Sequence, residues 1–329
     1  MTSVLVTGGT GFLGEHVVRA LVDSGATVRV MARSRSRIFD DLGDAVEQLA
    51  ADILDEGQLA AALAGVEQCY HLAGFVSRDP DDATQMMRVH VDGTRALVRA
   101  AATAGVSRIV VASSSGTIAV SEAERVHDEE SGYATDVVGK WPYYVSKIYQ
   151  EKVALELGTQ LGVEVVVVSP SLLLGPGDRR LSSTKDVHRF LRGQIPVVPS
   201  GGVNFVDVRD AAAATIAAMD RGKPGERYLL GGPNWSCKRF FGRLERVAKV
   251  RGPRLKLPKR LSEIGAALMS SAYRAAGRES PIDRMSVEMG EHFWYINSSK
   301  AERELGFEAR DPQLTLHDTV RYLRTDIGV

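Results

Sequence analysis

Short apolar runs alternate with stretches whose apolar residues recur every three or four positions through the first half of the chain. The runs lie near residues 3–7, 27–32, 46–50, 67–72, 108–113 and 163–168, each the length of a buried strand. Periodic stretches near 12–24, 55–64, 82–104 and 142–161 predict amphipathic helices between them. Such alternation requires right-handed crossovers, so a parallel sheet covered on both faces is expected. The run from Val165 to Leu174, broken by Ser169, Pro170 and Ser171, reads as a buried parallel strand and its exit loop. Beyond Gly175-Pro176-Gly177, glycine and proline become frequent and helical patterns near 209–221, 236–249, 258–276 and 312–325 predominate. The expectation is an α/β doubly wound sheet over 1–170 and a smaller, mainly helical substrate-binding lobe over 171–329.

The first strand runs into Thr7-Gly8-Gly9-Thr10-Gly11-Phe12-Leu13-Gly14 and then a helix. That order makes a dinucleotide site and a Rossmann-type sheet the expectation. Gly8 permits the tight turn, Gly11 lets backbone approach a phosphate, and Gly14 lets helix pack on strand. The helix aims free N–H groups and its positive dipole end at the anion. The expected contacts are Gly8, Thr10, Gly11, Phe12, Leu13 and Gly14. The end of the second strand, Val28 to Arg37, carries no acid to grip a ribose 2′-hydroxyl. Arg33 instead offers a planar fork suited to a 2′-phosphate, with Ser34 and Arg35 beside it. NADP(H) is therefore the preferred cofactor, with NAD(H) as the alternative.

Far downstream stands Tyr143-Tyr144-Val145-Ser146-Lys147, after Pro142, which suits a first helical turn. Tyr143 and Lys147 are four apart and share a helix face. A free phenol titrates near pH 10, and a neighbouring ammonium is expected to lower that value. Tyr143 then becomes a competent proton donor or acceptor for a carbonyl/alcohol pair. About 30 residues upstream lies a serine-rich strand end, Val110-Val111-Ala112-Ser113-Ser114-Ser115-Gly116-Thr117.

With these motifs the chain resembles an extended short-chain dehydrogenase/reductase, closest to the branch of dihydroflavonol 4-reductase, cinnamoyl-CoA reductase and 3β-hydroxysteroid dehydrogenase. The resemblance spans roughly residues 3 to 235. It implies a Ser or Thr at the fifth strand end that bonds the substrate oxygen. Aligned to that pattern, Ser114 takes the place and Ser115 is the alternative. It also implies that Lys147 holds the nicotinamide ribose, that Asp52 and Ile53 touch adenine, and that Leu72, Ala73 and Gly74 lie beneath the diphosphate and ribose. Pro170 and Ser171 would flank the carboxamide. Residues 204–222 are expected to return to the main domain, with Asn204 to Ala214 reaching the sheet, so that the lobes interleave. One departure stands at His90-Val91-Asp92-Gly93-Thr94, where the family usually has Asn in place of His90. Family members often pair through the helices 82–104 and 142–161, so a homodimer is expected, with Met86, Leu97, Ile148 and Leu155 as its apolar side chains.

Lys plus Arg equals Asp plus Glu, 41 each, which argues against a nucleic-acid surface. Cys69 and Cys237 form neither a metal motif nor a disulfide framework, and no metal is expected. The N-terminus lacks a signal-peptide pattern and no apolar run approaches a membrane span, so a cytoplasmic protein is expected. Trp141, Tyr133, His188 and Phe190 fall in segments expected to face the substrate cleft, which suits an apolar or aromatic molecule. The basic run Lys249 to Arg260 is either a solvated loop or a seat for a phosphate-bearing substrate. The expected function is NADP(H)-dependent interconversion of a carbonyl and an alcohol on a small, largely apolar molecule. The alternatives are a nucleotide-sugar epimerase or dehydratase, made less favourable by the absence of Asn from Ser169 to Pro176, the loop where such enzymes usually carry one, and a non-catalytic NADP-binding sensor.

Overall fold

The computed structural model describes residues 3–253 and 284–329. Its strands are β1 (Ser3–Thr7), β2 (Thr27–Ala32), β3 (Val46–Ala50), β4 (Gln68–His71), β5 (Arg108–Ala112), β6 (Val126–His127), β7 (Glu164–Pro170), β8 (Leu172–Leu174), β9 (Gly202–Asp207), β10 (Arg227–Leu230), β11 (Asn234–Ser236) and β12 (Tyr295–Ile296). The helices through residue 248 are α1 (Phe12–Asp23), α2 (Glu56–Leu63), α3 (Ala83–Met87), α4 (Gly93–Ala104), α5 (Thr135–Val138), α6 (Pro142–Leu161), α7 (Lys185–Leu191), α8 (Val208–Arg221) and α9 (Cys237–Ala248). Further helices cover Arg284–Gly290, Ser299–Leu305 and Pro312–Tyr322.

Seven strands form one parallel sheet in the order β10-β7-β5-β4-β1-β2-β3. All six strands read from the sequence lie in it. Alternation along each strand feeds two cores. Val4, Val6, Val166 and Val168 pack beneath α1 and α8. Leu5, Ile109, Val111, Val165 and Val167 pack beneath α2, α4 and α6. The order reverses between β1 and β4, which opens a crevice at their carboxyl ends. Helix α6 stops at Gly162, whose φ of 73° is the left-handed conformation that ends a helix.

The stretch 82–104 is helical but not uniform. A π-helical turn at Arg88–Asp92 separates α3 from α4 and carries His90. Pattern along the sequence cannot show such a turn, because one inserted residue only shifts the helical phase.

The smaller lobe differs more from expectation. Residues 204–207 belong to a separate sheet, β11-β9-β8, and not to the main sheet. What returns to the main domain is α8, packed on α1, β5 and β7, followed by β10 at the sheet edge. The lobe core gathers Leu174, Phe190, Phe205, Phe241, Leu244 and Leu316. The helix expected near 258–276, and residues 254–260 of the basic run, lie outside the described residues. The proposed dimer side chains also fall elsewhere: Met86, Leu97 and Ile148 are buried within the chain, and Leu155 packs partly against its core. No described helix is long and apolar enough to cross a membrane.

Candidate active site

At the switch point the glycine loop is held by close approach. Gly8 has φ of 70°, and a Cβ there would come within 2.5 Å of the Ala73 nitrogen. A Cβ on Gly14 would collide with the Gly8 carbonyl oxygen. Gly11 caps α1 with extended backbone and no side-chain cap, so the first-turn N–H groups face the crevice undressed by side chains. Ala73 lies against Gly8, and Thr7 pairs with His71 across the two central strands.

The three serines after β5 have different surroundings. Ser113 is buried and donates to Glu151. Ser115 is buried as well. Ser114 is half-exposed, caps the short 3-10 turn Ser115–Thr117, and acts on the Tyr143 phenol so as to lower its pKa. Tyr143 stands in the first turn of α6. Lys147 lies one turn on, buried, with Nζ donating to the Ala112 carbonyl at 2.9 Å and to Gln150 Oε1 at 2.8 Å. The structure thus brings Ser114, Tyr143 and Lys147 to one end of the sheet.

The electrostatics differ from expectation. Burial pushes the Tyr143 phenol above its ordinary value, the Tyr144 phenol pushes it further, and the Ser114 hydrogen bond works the other way. Lys147 is not among the groups that lower it, and two of its three N–H donors go to Ala112 and Gln150. Burial instead lowers Lys147 to about 8, with Glu151 pulling upward.

Two buried histidines complete the floor. His71 has a Thr7 hydroxyl at 2.8 Å from Nδ1 and a Thr94 hydroxyl at 2.8 Å from Nε2. Burial, with Lys147 nearby, lowers it to about 3, so it stays neutral. His90 Nε2 accepts the Phe75 N–H at 2.9 Å. The neutral ring then carries its proton on Nδ1 and donates to Ser146 Oγ at 2.8 Å. Ser146 in turn donates to the Tyr143 carbonyl at 2.7 Å. His90 therefore ties the loop after β4 to the first turn of α6.

The sequence profile of the NAD dependent epimerase/dehydratase family matches residues 4–231. The chain belongs to that family. Sterol demethylase protein B of Methylococcus capsulatus is 33% identical over 330 residues, 98% of this chain and 98% of that protein. Cinnamoyl-CoA reductase 1 of Oryza sativa is 36% identical over 247 residues, covering 70% of this chain and 71% of its own length. Dihydroflavonol 4-reductase of Zea mays is 36% identical over 192 residues, 53% of each chain. The crystal structure of gox2253 superposes over 100% of both chains with a TM-score of 0.85 and 29% identity. The epimerase/dehydratase family member is an NAD(P)-dependent oxidoreductase of the extended short-chain dehydrogenase/reductase type, and its cofactor is a nicotinamide dinucleotide.

The residues present fit that cofactor. The cradle at Gly8, Gly11 and Gly14 leaves no room for a Cβ at two of its three positions. Ser171, just past β7, is buried with a hydroxyl that lacks a partner, as a group reserved for a polar ligand would be. Arg33 and Ser34 are exposed at the end of β2. Asp52 is exposed and turns the chain by accepting the Leu54 N–H at 3.0 Å. Ile53 packs on Gly93. Leu72 and Ala73 are half-buried beside the glycine loop, and Gly74 lies over His90 and Lys147.

The substrate-side expectations need correction. Trp141 is buried, stacked on Trp294 at 5.6 Å and edge-on to His292 at 5.1 Å. Phe190 stacks on Phe241 in the lobe core, away from any cleft, because α7 is amphipathic and buries that face. Tyr133 covers the Arg227 guanidinium at 4.7 Å. His188 is half-buried on α7, with its pKa lowered by burial and by Arg192 and Arg189. The aromatic wall beside Tyr143 is built from Tyr144 and Trp294, and Met285 and Met289 pack with them against the buried cluster of Val120, Val138, Trp141 and Ile148. Trp294 and the two methionines went unread, since no local pattern links residue 294 to residue 144. Arg78 also went unread: it forms a forked pair with Asp186, with Nη2 to Oδ2 at 2.9 Å, and joins the loop after β4 to α7.

Proposed function

We propose that this family member is an NADP(H)-dependent reductase or dehydrogenase that interconverts a carbonyl and an alcohol on a small, largely apolar molecule. The observation that carries the reading is the convergence of Ser114, Tyr143 and Lys147 beside the glycine cradle. The bound cofactor supplies or accepts a hydride at the reacting carbon. Tyr143 donates its phenolic proton to the carbonyl oxygen in reduction and takes it back in oxidation. Burial keeps that phenol protonated through neutral pH, which is the state reduction needs. Ser114 bonds the same oxygen and holds it toward the phenol. Lys147 keeps an ammonium under the nicotinamide ribose. Arg33 and Ser34 take the 2′-phosphate, Asp52 and Ile53 flank adenine, Leu72, Ala73 and Gly74 line the diphosphate, and Pro170 and Ser171 face the carboxamide. The wall of Tyr144, Trp294, Met285 and Met289 suits a planar apolar body.

A panel tests this reading: a dihydroflavonol, cinnamaldehyde, a 3-ketosterol and UDP-glucose, each with NADPH and with NADH, followed by cofactor absorbance and product analysis. The expected result is stoichiometric loss of NADPH with one of the first three. Turnover of UDP-glucose with no net change in cofactor would replace the reading with an epimerase.

A further inference from the structure

Resting on that reading of Ser114, Tyr143 and Lys147, we infer that Glu151 is a positioning residue of the same site, whose one carboxylate fixes the turn that presents Ser114 and supplies the counter-charge for Lys147.

Tyr143, Lys147 and Glu151 follow one another at steps of four along α6, so they form one stripe. Glu151 lies deepest and is fully buried. A buried carboxylate is tolerated only when its oxygens are fully engaged. Here each oxygen has two donors. Oε1 receives the Ser113 hydroxyl and the Thr117 hydroxyl, the latter at 2.9 Å. Oε2 receives Arg227 through Nε at 2.7 Å and through Nη2.

A carboxylate kept only to pair with Arg227 would need no hydroxyls from the serine turn. These two come from either side of Ser114. Ser113 is its neighbour, and Thr117 Oγ1 also stands 2.9 Å from the Ser114 carbonyl oxygen. Glu151 thus grips the turn at both ends, engages the Ser113 hydroxyl, and leaves that of Ser114 facing Tyr143.

The surroundings of Lys147 give the second half of the argument. Its direct partners, the Ala112 carbonyl and Gln150, are neutral. His71 on β4 and His90 on the π-helical turn face it as uncharged rings, and Tyr143 stays a phenol. Glu151 is the charge that opposes the effect of burial on the ammonium. The edge strand β10 supplies Arg227, so the site is braced from the edge of the sheet.

The test uses Glu151→Gln and, because that change leaves Arg227 buried without its partner, the double variant Glu151→Gln/Arg227→Gln. Lys147 is titrated directly by carbon NMR on lysine-labelled protein, with its resonance assigned by its loss in Lys147→Arg. The midpoint should fall by about one pH unit or more in Glu151→Gln, and by less in the double variant, which removes the Arg227 charge as well. Turnover of the accepted carbonyl should fall on the order of ten- to a hundredfold at neutral pH, as for a slightly misplaced reacting group. If Glu151→Gln does not fold, the double variant carries the test. A folded double variant with the original Lys147 midpoint and turnover within a factor of about two would overturn the inference. Tyr143→Phe separates the two levels. If it is inactive while the double variant is normal, only the role of Glu151 falls. If Tyr143→Phe is active, the reading of the site falls and this inference with it.

Discussion

The two sides of the cleft are built on different principles. On the cofactor side, the glycine cradle is one contiguous stretch from the end of β1 through the start of α1, and Tyr143, Lys147 and Glu151 share a single helix. On the substrate side, Arg78, Tyr144, Asp186 and the Met289–Trp294 stretch come from four separate segments of the chain. Local geometry fixes the first, and tertiary packing alone fixes the second. Substitutions on the cofactor side should therefore strike chemistry or cofactor affinity, and those on the other side should change substrate affinity alone.

The largest effect is expected from Tyr143→Phe. Turnover should drop by the 10²–10⁴-fold typical of a lost general acid, with NADPH binding nearly unchanged. Tyr144→Phe should do far less, because its ring packs on Trp294 and Trp141 and its phenol, pushed up to about 12 by burial, is not aimed with Ser114. Steady-state kinetics of the two variants decide between them, and a dead Tyr144→Phe beside an active Tyr143→Phe would move the acid by one residue.

Next comes Arg33→Ala, which should weaken NADPH by roughly tenfold to over a hundredfold, about 1.5–3 kcal/mol, and NADH far less. Fluorescence titration with both cofactors measures it. Equal binding of both by the unaltered protein would end the 2′-phosphate assignment.

The pH profile follows. Burial sets Lys147 near 8, so the ammonium is present below that pH and lost above it. Turnover should fall as pH rises through about 8, and the same limb should vanish in Lys147→Ala, whose residual rate is flat there. An unaltered protein whose rate holds to pH 10 would contradict this (Lys near 10.4 is the ordinary value).

The smallest effect is expected across the cleft. Asp186→Asn removes one partner of a half-exposed ion pair with Arg78, worth about 0–1 kcal/mol. The substrate KM should rise less than about fivefold and NADPH affinity should not move. A large loss of NADPH binding in this variant would show that the two sides are not separable as drawn.

The same contrast explains what the sequence allowed to be read. The glycine loop was legible because the cradle is contiguous, and central strands such as β5 and β7 because parallel strands buried on both faces are continuous apolar runs. The edge strand β10 was not, since Arg227-Tyr228-Leu229-Leu230 is short and opens on a charge whose partner, Glu151, is far away in sequence. The three-stranded sheet was missed for a similar reason: β8 and β11 are three residues each, too short to show alternation. Ser114 was chosen from its neighbours only through a family pattern. The physical distinction, Ser113 engaged by Glu151 and Ser115 buried, exists only in three dimensions. Phe190 misled because an aromatic residue on an amphipathic helix reads alike whether it faces a core or a cleft.

Helix α6 works as a ruler. Because acid, ammonium and carboxylate are marked on one rigid rod at intervals of four residues, their separations do not depend on where the smaller lobe sits. Over evolutionary time that lobe can be recut for a new molecule, loop by loop, without resetting the distances on which proton transfer depends. The innovation in such a chain is free to accumulate wherever the stripe of Tyr143, Lys147 and Glu151 does not reach.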